Sequence, residues 1–102
     1  MTLLVRRWRK IMQAKEFVTI LATMPKKENY QGLYIEDAFV TAIKIDQKGD
    51  FVFIAEKNKA PLTIKDLLIA LMTNKSRELY YWQDNHKQKI YGIKEKDAKI
   101  IL

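Results

Sequence analysis

The chain has 102 residues, with 19 Lys and Arg against 12 Asp and Glu and a net charge of +7. That length suits a single domain spanning residues 1–102 and able to bury a core without covalent staples. The absence of cysteine excludes thiol catalysis, cysteine-ligated zinc and iron–sulfur clusters. Hydrophobic residues at 48% and charged residues at 30% give the balance of a globular protein, and no apolar run nears the roughly 20 residues of a membrane span.

Charge is unevenly placed. Residues 1–27 carry seven Lys/Arg and one acid, residues 28–56 two and six, and residues 57–102 ten and five. Basic ends around an acidic middle favour a polyanionic partner, but they equally allow the acidic segment of one copy to face the basic end of another. The opening "MTLLVRRWRKIM" places its charges after a short apolar stub, the reverse of a signal peptide's order, so a cytoplasmic location is expected.

Residues 3–14 hold Leu4, Val5, Trp8, Ile11 and Met12 at helical spacing. Arg6, Arg9 and Lys10 fall opposite, with Arg7 at the border. Continuing that phase would put Lys15 in the apolar stripe and the β-branched run Val18, Thr19, Ile20 in a helix, so the helix is expected to end near Lys15 and Glu16–Thr23 to form a strand. "GLYIEDAF" then continues or feeds that strand. Residues 39–57 predict a hairpin whose type I turn over Asp46–Gly49 ends in a G1 bulge and pairs Ile45 with Phe51 and Ile43 with Phe53. After Pro61, Thr63 caps a helix from Ile64 to about Thr73, apolar nearly all round and so expected to be buried. A second hairpin is predicted from Glu78–Gln83 and Gln88–Lys94 around the polar turn "DNHK", and "KIIL" suggests a last strand. The class is α+β: a mostly antiparallel sheet from two hairpins, an amphipathic N-terminal helix and one buried central helix.

Catalytic signatures are sparse. The single histidine, His86, is assigned to a solvated turn, and the three glycines are too scattered for a phosphate-cradling loop. Glu36, Asp37, Asp46, Asp50 and Glu56 suggest a magnesium site of nuclease type as the least favoured option, because Asp46 and Asp50 flank a turn that uses Asp for its own hydrogen bonds. A non-enzymatic protein without cofactor or metal is expected.

Two binding surfaces remain. One is the cationic helix with Arg6, Arg7, Arg9 and Lys10, suited to phosphate neutralisation. The other is the hairpin "RELYYWQDNHKQKIYG", where Tyr80, Trp82 and Tyr91 are interleaved with Arg77, Lys87 and Lys89, as in surfaces that stack single-stranded bases. One face of that hairpin must meet the core; joint exposure of the three rings is the deciding observation. The sequence thus favours a binding module for an anionic partner, nucleic acid before others. The alternative is a protein-interaction or inhibitory module, with a homodimer as one form of it.

Overall fold

The computed structural model describes residues 11–23, 32–97 and 99–102. The segment carrying Arg6, Arg7, Trp8, Arg9 and Lys10 lies outside the described residues. Where the description begins, the chain is not helical. Met12 is wedged between two strand ends, donating to the Ile90 carbonyl at 2.8 Å and accepting from the Leu79 N–H at 2.9 Å, and Gln13 forms an isolated bridge with Glu78.

Helix α1 (Ala14–Thr23) replaces the strand expected over Glu16–Thr23. The expectation failed because it carried the helical phase of residues 3–14 through Lys15. The helix starts afresh at Ala14, and in the new phase Ala14, Phe17, Ile20 and Leu21 share one buried stripe while Lys15 is exposed. Its entry is well satisfied. The Glu16 carboxylate accepts from the Gln13 N–H at 3.0 Å, the reciprocal half of a capping box. The free N–H groups of Ala14 and Lys15 donate to the carbonyls of Arg77 and Lys75, each at 2.8 Å. Thr19 within the β-branched run donates its hydroxyl to the Lys15 carbonyl at 2.9 Å.

"GLYIEDAF" does not extend a neighbouring strand. It folds on itself as β1 (Leu33–Ile35) and β2 (Ala38–Phe39), with Glu36 in the turn at φ 53°. The hairpin of β3 (Ala42–Ile45) and β4 (Phe51–Ile54) has the expected register, Ile45 opposite Phe51 and Ile43 opposite Phe53. The Asp46 carboxylate accepts from the N–H groups of Lys48 and Asp50, both at 3.0 Å, and Gly49 supplies φ +86°. Phe51 and Phe53 are buried, whereas Ile45, at the end of the ladder, is exposed.

Helix α2 (Ile64–Met72) is capped by Thr63, whose hydroxyl accepts from the Asp66 N–H at 3.1 Å. Leu67 and Leu71 anchor it in the core, with Ile64 and Leu68 packed at the margin. Its far side leaves Ile69 and Met72 exposed, a narrower burial than the all-round apolar composition suggested. Strand β5 (Leu79–Gln83) lies parallel to β4, so α2 is the crossover of a βαβ unit. The turn that follows is two residues long, Asp84 and Asn85 at φ 53° and 61°, the left-handed pair of a type I′ turn. His86 and Lys87 therefore begin β6 (His86–Lys89) rather than belonging to a four-residue turn. Regular pairing of the return strand stops at Lys89: Ile90 still donates to the Leu79 carbonyl at 3.2 Å, but Met12 takes the Ile90 carbonyl and the Leu79 N–H. Beyond it, β7 (Lys94–Lys96) and β8 (Lys99–Ile101) join the other sheet.

The fold is α+β with two four-stranded mixed sheets, ordered β2-β1-β8-β7 and β3-β4-β5-β6. Four of the six strand pairings are antiparallel, β1–β8 and β4–β5 being parallel. One apolar cluster joins both sheets to both helices through Phe17, Leu33, Phe53, Leu71, Leu79 and Ile100, with the Phe17 and Phe53 rings 6.1 Å apart. No helix of the described residues is long and apolar enough to cross a membrane.

Candidate nucleic-acid interface

The aromatic hairpin is assembled in the expected alternation but used differently. Leu79 and Tyr81 face the core, while Tyr80 and Trp82 point outward opposite Lys89 and Lys87. Lys87 is not free: its ammonium bonds the carboxylate of Asp46 and, at 2.9 Å, that of Asp50. The same ammonium lies 4.1 Å from the centre of the Tyr80 ring. The β3–β4 turn thus clamps a lysine of β6 over the tyrosine of β5, and Tyr80 is half-buried.

Titration behaviour reflects the clamp. The hydrogen bond from Lys87, followed by that from the Asp50 N–H, holds the Asp46 carboxyl below its ordinary value. Desolvation pushes Lys87 down, but hydrogen bonds and charge from Asp46 and Asp50 outweigh it and the net shift is upward. Burial, then the charges of Asp50 and Glu78, raise the Tyr80 hydroxyl.

Arg77 is likewise committed to the fold. Its Nη1 donates to the Gly49 carbonyl, its guanidinium sits 5.7 Å from the Phe51 ring centre, and its Nε is buried without a partner. Lys89 and Tyr91 are exposed, and Tyr91 lies beyond the end of β6. Tyr80, Trp82 and Tyr91 are therefore not one exposed set: Tyr80 is half-buried under Lys87, whereas Trp82 and Tyr91 are exposed.

Trp82, at 47% exposure, forms a wall of an open cleft of about 430 Å³ between the tips of the β1–β2 and β5–β6 hairpins. Glu36, Asp37, Gln83, Asp84 and Asn85 line the same cleft. Three carboxylates around the ring make this a poor seat for a phosphate. The other carboxylates considered from sequence are scattered. Asp46 and Asp50 hold Lys87, Glu56 is exposed just past β4, and among the described residues no three metal-ligating side chains converge.

A basic aromatic surface exists elsewhere, on the outer face of the first sheet. Leu33, Ile35 and Ile100 point into the core; strand alternation therefore turns Tyr34, Lys99, Ile101, Lys94 and Lys96 outward. Strand register sets Phe39, Tyr34, Ile101 and Lys94 in one row across the four strands, with Lys99 paired to Lys96 two residues below. Phe39 is 38% exposed, and Lys94 and Lys96 are exposed. The Lys99 ammonium lies 4.9 Å from the Tyr34 ring centre, which confirms their common face. Among the described residues the only ion pairs are those of Lys87, so Lys94, Lys96 and Lys99 have no carboxylate partner there.

Sequence reading missed this surface. The alternation of Lys94 and Lys96 and the flanking "LYIEDAF" were visible signals, but nothing local says that the first and last strands pair in parallel. No family model, curated protein or solved structure matches the chain.

Proposed function

We propose that the protein is a small, non-enzymatic module that binds nucleic acid through the outer face of its first sheet. The observation that carries this reading is the grouping of Lys94, Lys96 and Lys99, without carboxylate partners among the described residues, beside the rings of Tyr34 and Phe39. Each lysine can neutralise a phosphate and release its counterion. Arg6, Arg7, Arg9 and Lys10 of the N-terminal segment add to the attraction in this proposal, as does exposed Lys89. Arg77, Tyr80 and Lys87 are left out because their polar groups and ring faces are engaged within the fold.

The test is a polarisation titration with a labelled oligonucleotide. Neutralising three phosphate contacts on a single strand gives a slope of log affinity against log salt of about −2. Wild type, with the further basic residues adding to these three, should therefore lose at least about twenty-fold in affinity between about 50 and 200 mM salt. The K94Q/K96Q/K99Q variant should bind more weakly and with a flatter slope. Equal binding by the variant and wild type would remove the sheet face from the reading.

A second reading, a protein-interaction module, is favoured by the cleft. Trp82 with Glu36, Asp37 and Asp84 has the ring and the charge to receive a basic side chain, and the chain's own N-terminal segment is rich in arginine. Sedimentation showing a dimer that W82A dissociates would support that reading; a monomer at all concentrations would remove the self-association form of it.

A further inference from the structure

We infer that the ligand of this face is single-stranded and crosses the strands, with two neighbouring bases stacked on Phe39 and Tyr34 and the adjoining phosphates held by the lysines of β8 and β7. The inference rests on the nucleic-acid reading above and deepens it by naming the strand state and the base-contacting residues.

Width is the first argument. Strands stand about 4.8 Å apart, so the four-strand face is about 14 Å across before side chains are added. A major groove about 12 Å wide admits a helix or a two-stranded ribbon. The sheet cannot enter it, and flat stacking of a base on either ring needs a base that is free of the duplex stack. Ring placement is the second. Phe39 and Tyr34 are register partners on adjacent antiparallel strands, close enough to serve successive bases. They sit on the β2–β1 half of the face, with Ile101 beside Tyr34 as an apolar floor. All three lysines occupy the β8–β7 half, which separates a stacking strip from a phosphate strip.

The two lysine–tyrosine contacts differ in a way that matters. Lys87 is fixed over Tyr80 by two carboxylates, so that ring stays covered. Lys99 has no such anchor among the described residues and can exchange the Tyr34 ring for a phosphate, uncovering the ring for a base. Charge also orients the strand. Because β8 runs parallel to β1, Lys99 and Lys96 lie at the end of the sheet opposite the Glu36–Asp37 turn, and the carboxylates of the Trp82 cleft repel phosphates from that end.

The experiment compares labelled oligothymidylate with a duplex of equal length, for wild type, F39L, Y34L and K94Q/K96Q/K99Q, with far-UV circular dichroism confirming the fold. F39L is the cleaner variant, since it keeps apolar bulk on an exposed edge strand and removes only the π face. Stacking is worth about 1–3 kcal/mol per base, so F39L and Y34L should each weaken single-strand binding at least fivefold, leave the salt slope unchanged and leave duplex binding where it was. Wild type should prefer the single strand at least tenfold. Equal affinity for both forms, with F39L and Y34L binding like wild type while the lysine variant weakens, would overturn stacking and leave the electrostatic reading standing. Absence of binding to either oligonucleotide at low salt would overturn both.

Discussion

Replacing Lys87 by methionine separates a fold-stabilising lysine from a phosphate-binding one. Methionine keeps much of the stem over Tyr80 and removes the ammonium that joins Asp46 and Asp50. The two carboxylate side chains retain 28% and 15% of their exposure, so each contact stands at the upper part of the range of a solvent-screened pair, about 0.5–1 kcal/mol. Together with two carboxylates left facing each other, the loss comes to about 1–2 kcal/mol. At roughly 4–8 °C per kcal/mol for a domain of this size, Tm should fall by about 4–16 °C. The gap between wild type and variant is largest at neutral pH. Asp46 has its pKa lowered from 3.8, so its contribution is complete above that value and disappears as pH falls through the lower folded-state value. Lys87 has its pKa raised from 10.5; its contribution is complete below that value and disappears as pH rises through the higher one. Urea denaturation across pH measures this directly, and oligonucleotide affinity of K87M should stay within about twofold of wild type, the loss of one weak distant charge. Unchanged stability combined with a tenfold loss of binding would show that Lys87 is a phosphate ligand and that the clamp is incidental.

Other perturbations probe the parts that place the two sheet faces. Gly49→Ala puts a Cβ 2.8 Å from Arg77 Nη1 at φ +86° and should cost about 1–3 kcal/mol by denaturation; G49A/R77M should show a smaller cost relative to R77M alone, because only backbone strain remains. Thr63→Ala removes the cap of α2 and should cost about 1 kcal/mol, largely restored by T63S. Phe53→Ala empties a fully buried site beside Phe17 and should cost about 3–5 kcal/mol, with a clear drop in the urea midpoint at unchanged m-value.

Short-range rules carried the first hairpin and α2. Asp46 and Gly49 dictate the turn, alternation sets Phe51 against Ile45, and Thr63 marks the start of the helix, all within a few residues of sequence. The failures share a cause in long-range contact. Helix α1 was hidden because its stripe of Ala14, Phe17, Ile20 and Leu21 begins in a new phase, fixed by acceptors from Lys75 and Arg77 more than fifty residues away. The second hairpin was read too long because Met12 inserts between the Leu79 N–H and the Ile90 carbonyl and ends the regular ladder there. For the candidate site, sequence pointed to aromatic and basic residues together on the second hairpin, where Arg77 and Lys87 have partners within the fold. Those partners, Gly49 and the Asp46–Asp50 pair, become adjacent only through the parallel β4–β5 pairing. The outer face with Tyr34, Phe39, Lys94, Lys96 and Lys99 depends on the β1–β8 pairing, which joins strands more than sixty residues apart in the chain.

Amide chemical-shift mapping during titration with oligothymidylate tests the location of the interface most directly. The largest changes should fall on Tyr34, Phe39, Lys94, Lys96, Lys99 and Ile101, with Trp82 and Lys87 near background. Changes centred on Trp82, Glu36 and Asp84, or confined to residues 1–10, would contradict the assignment of binding to the first sheet.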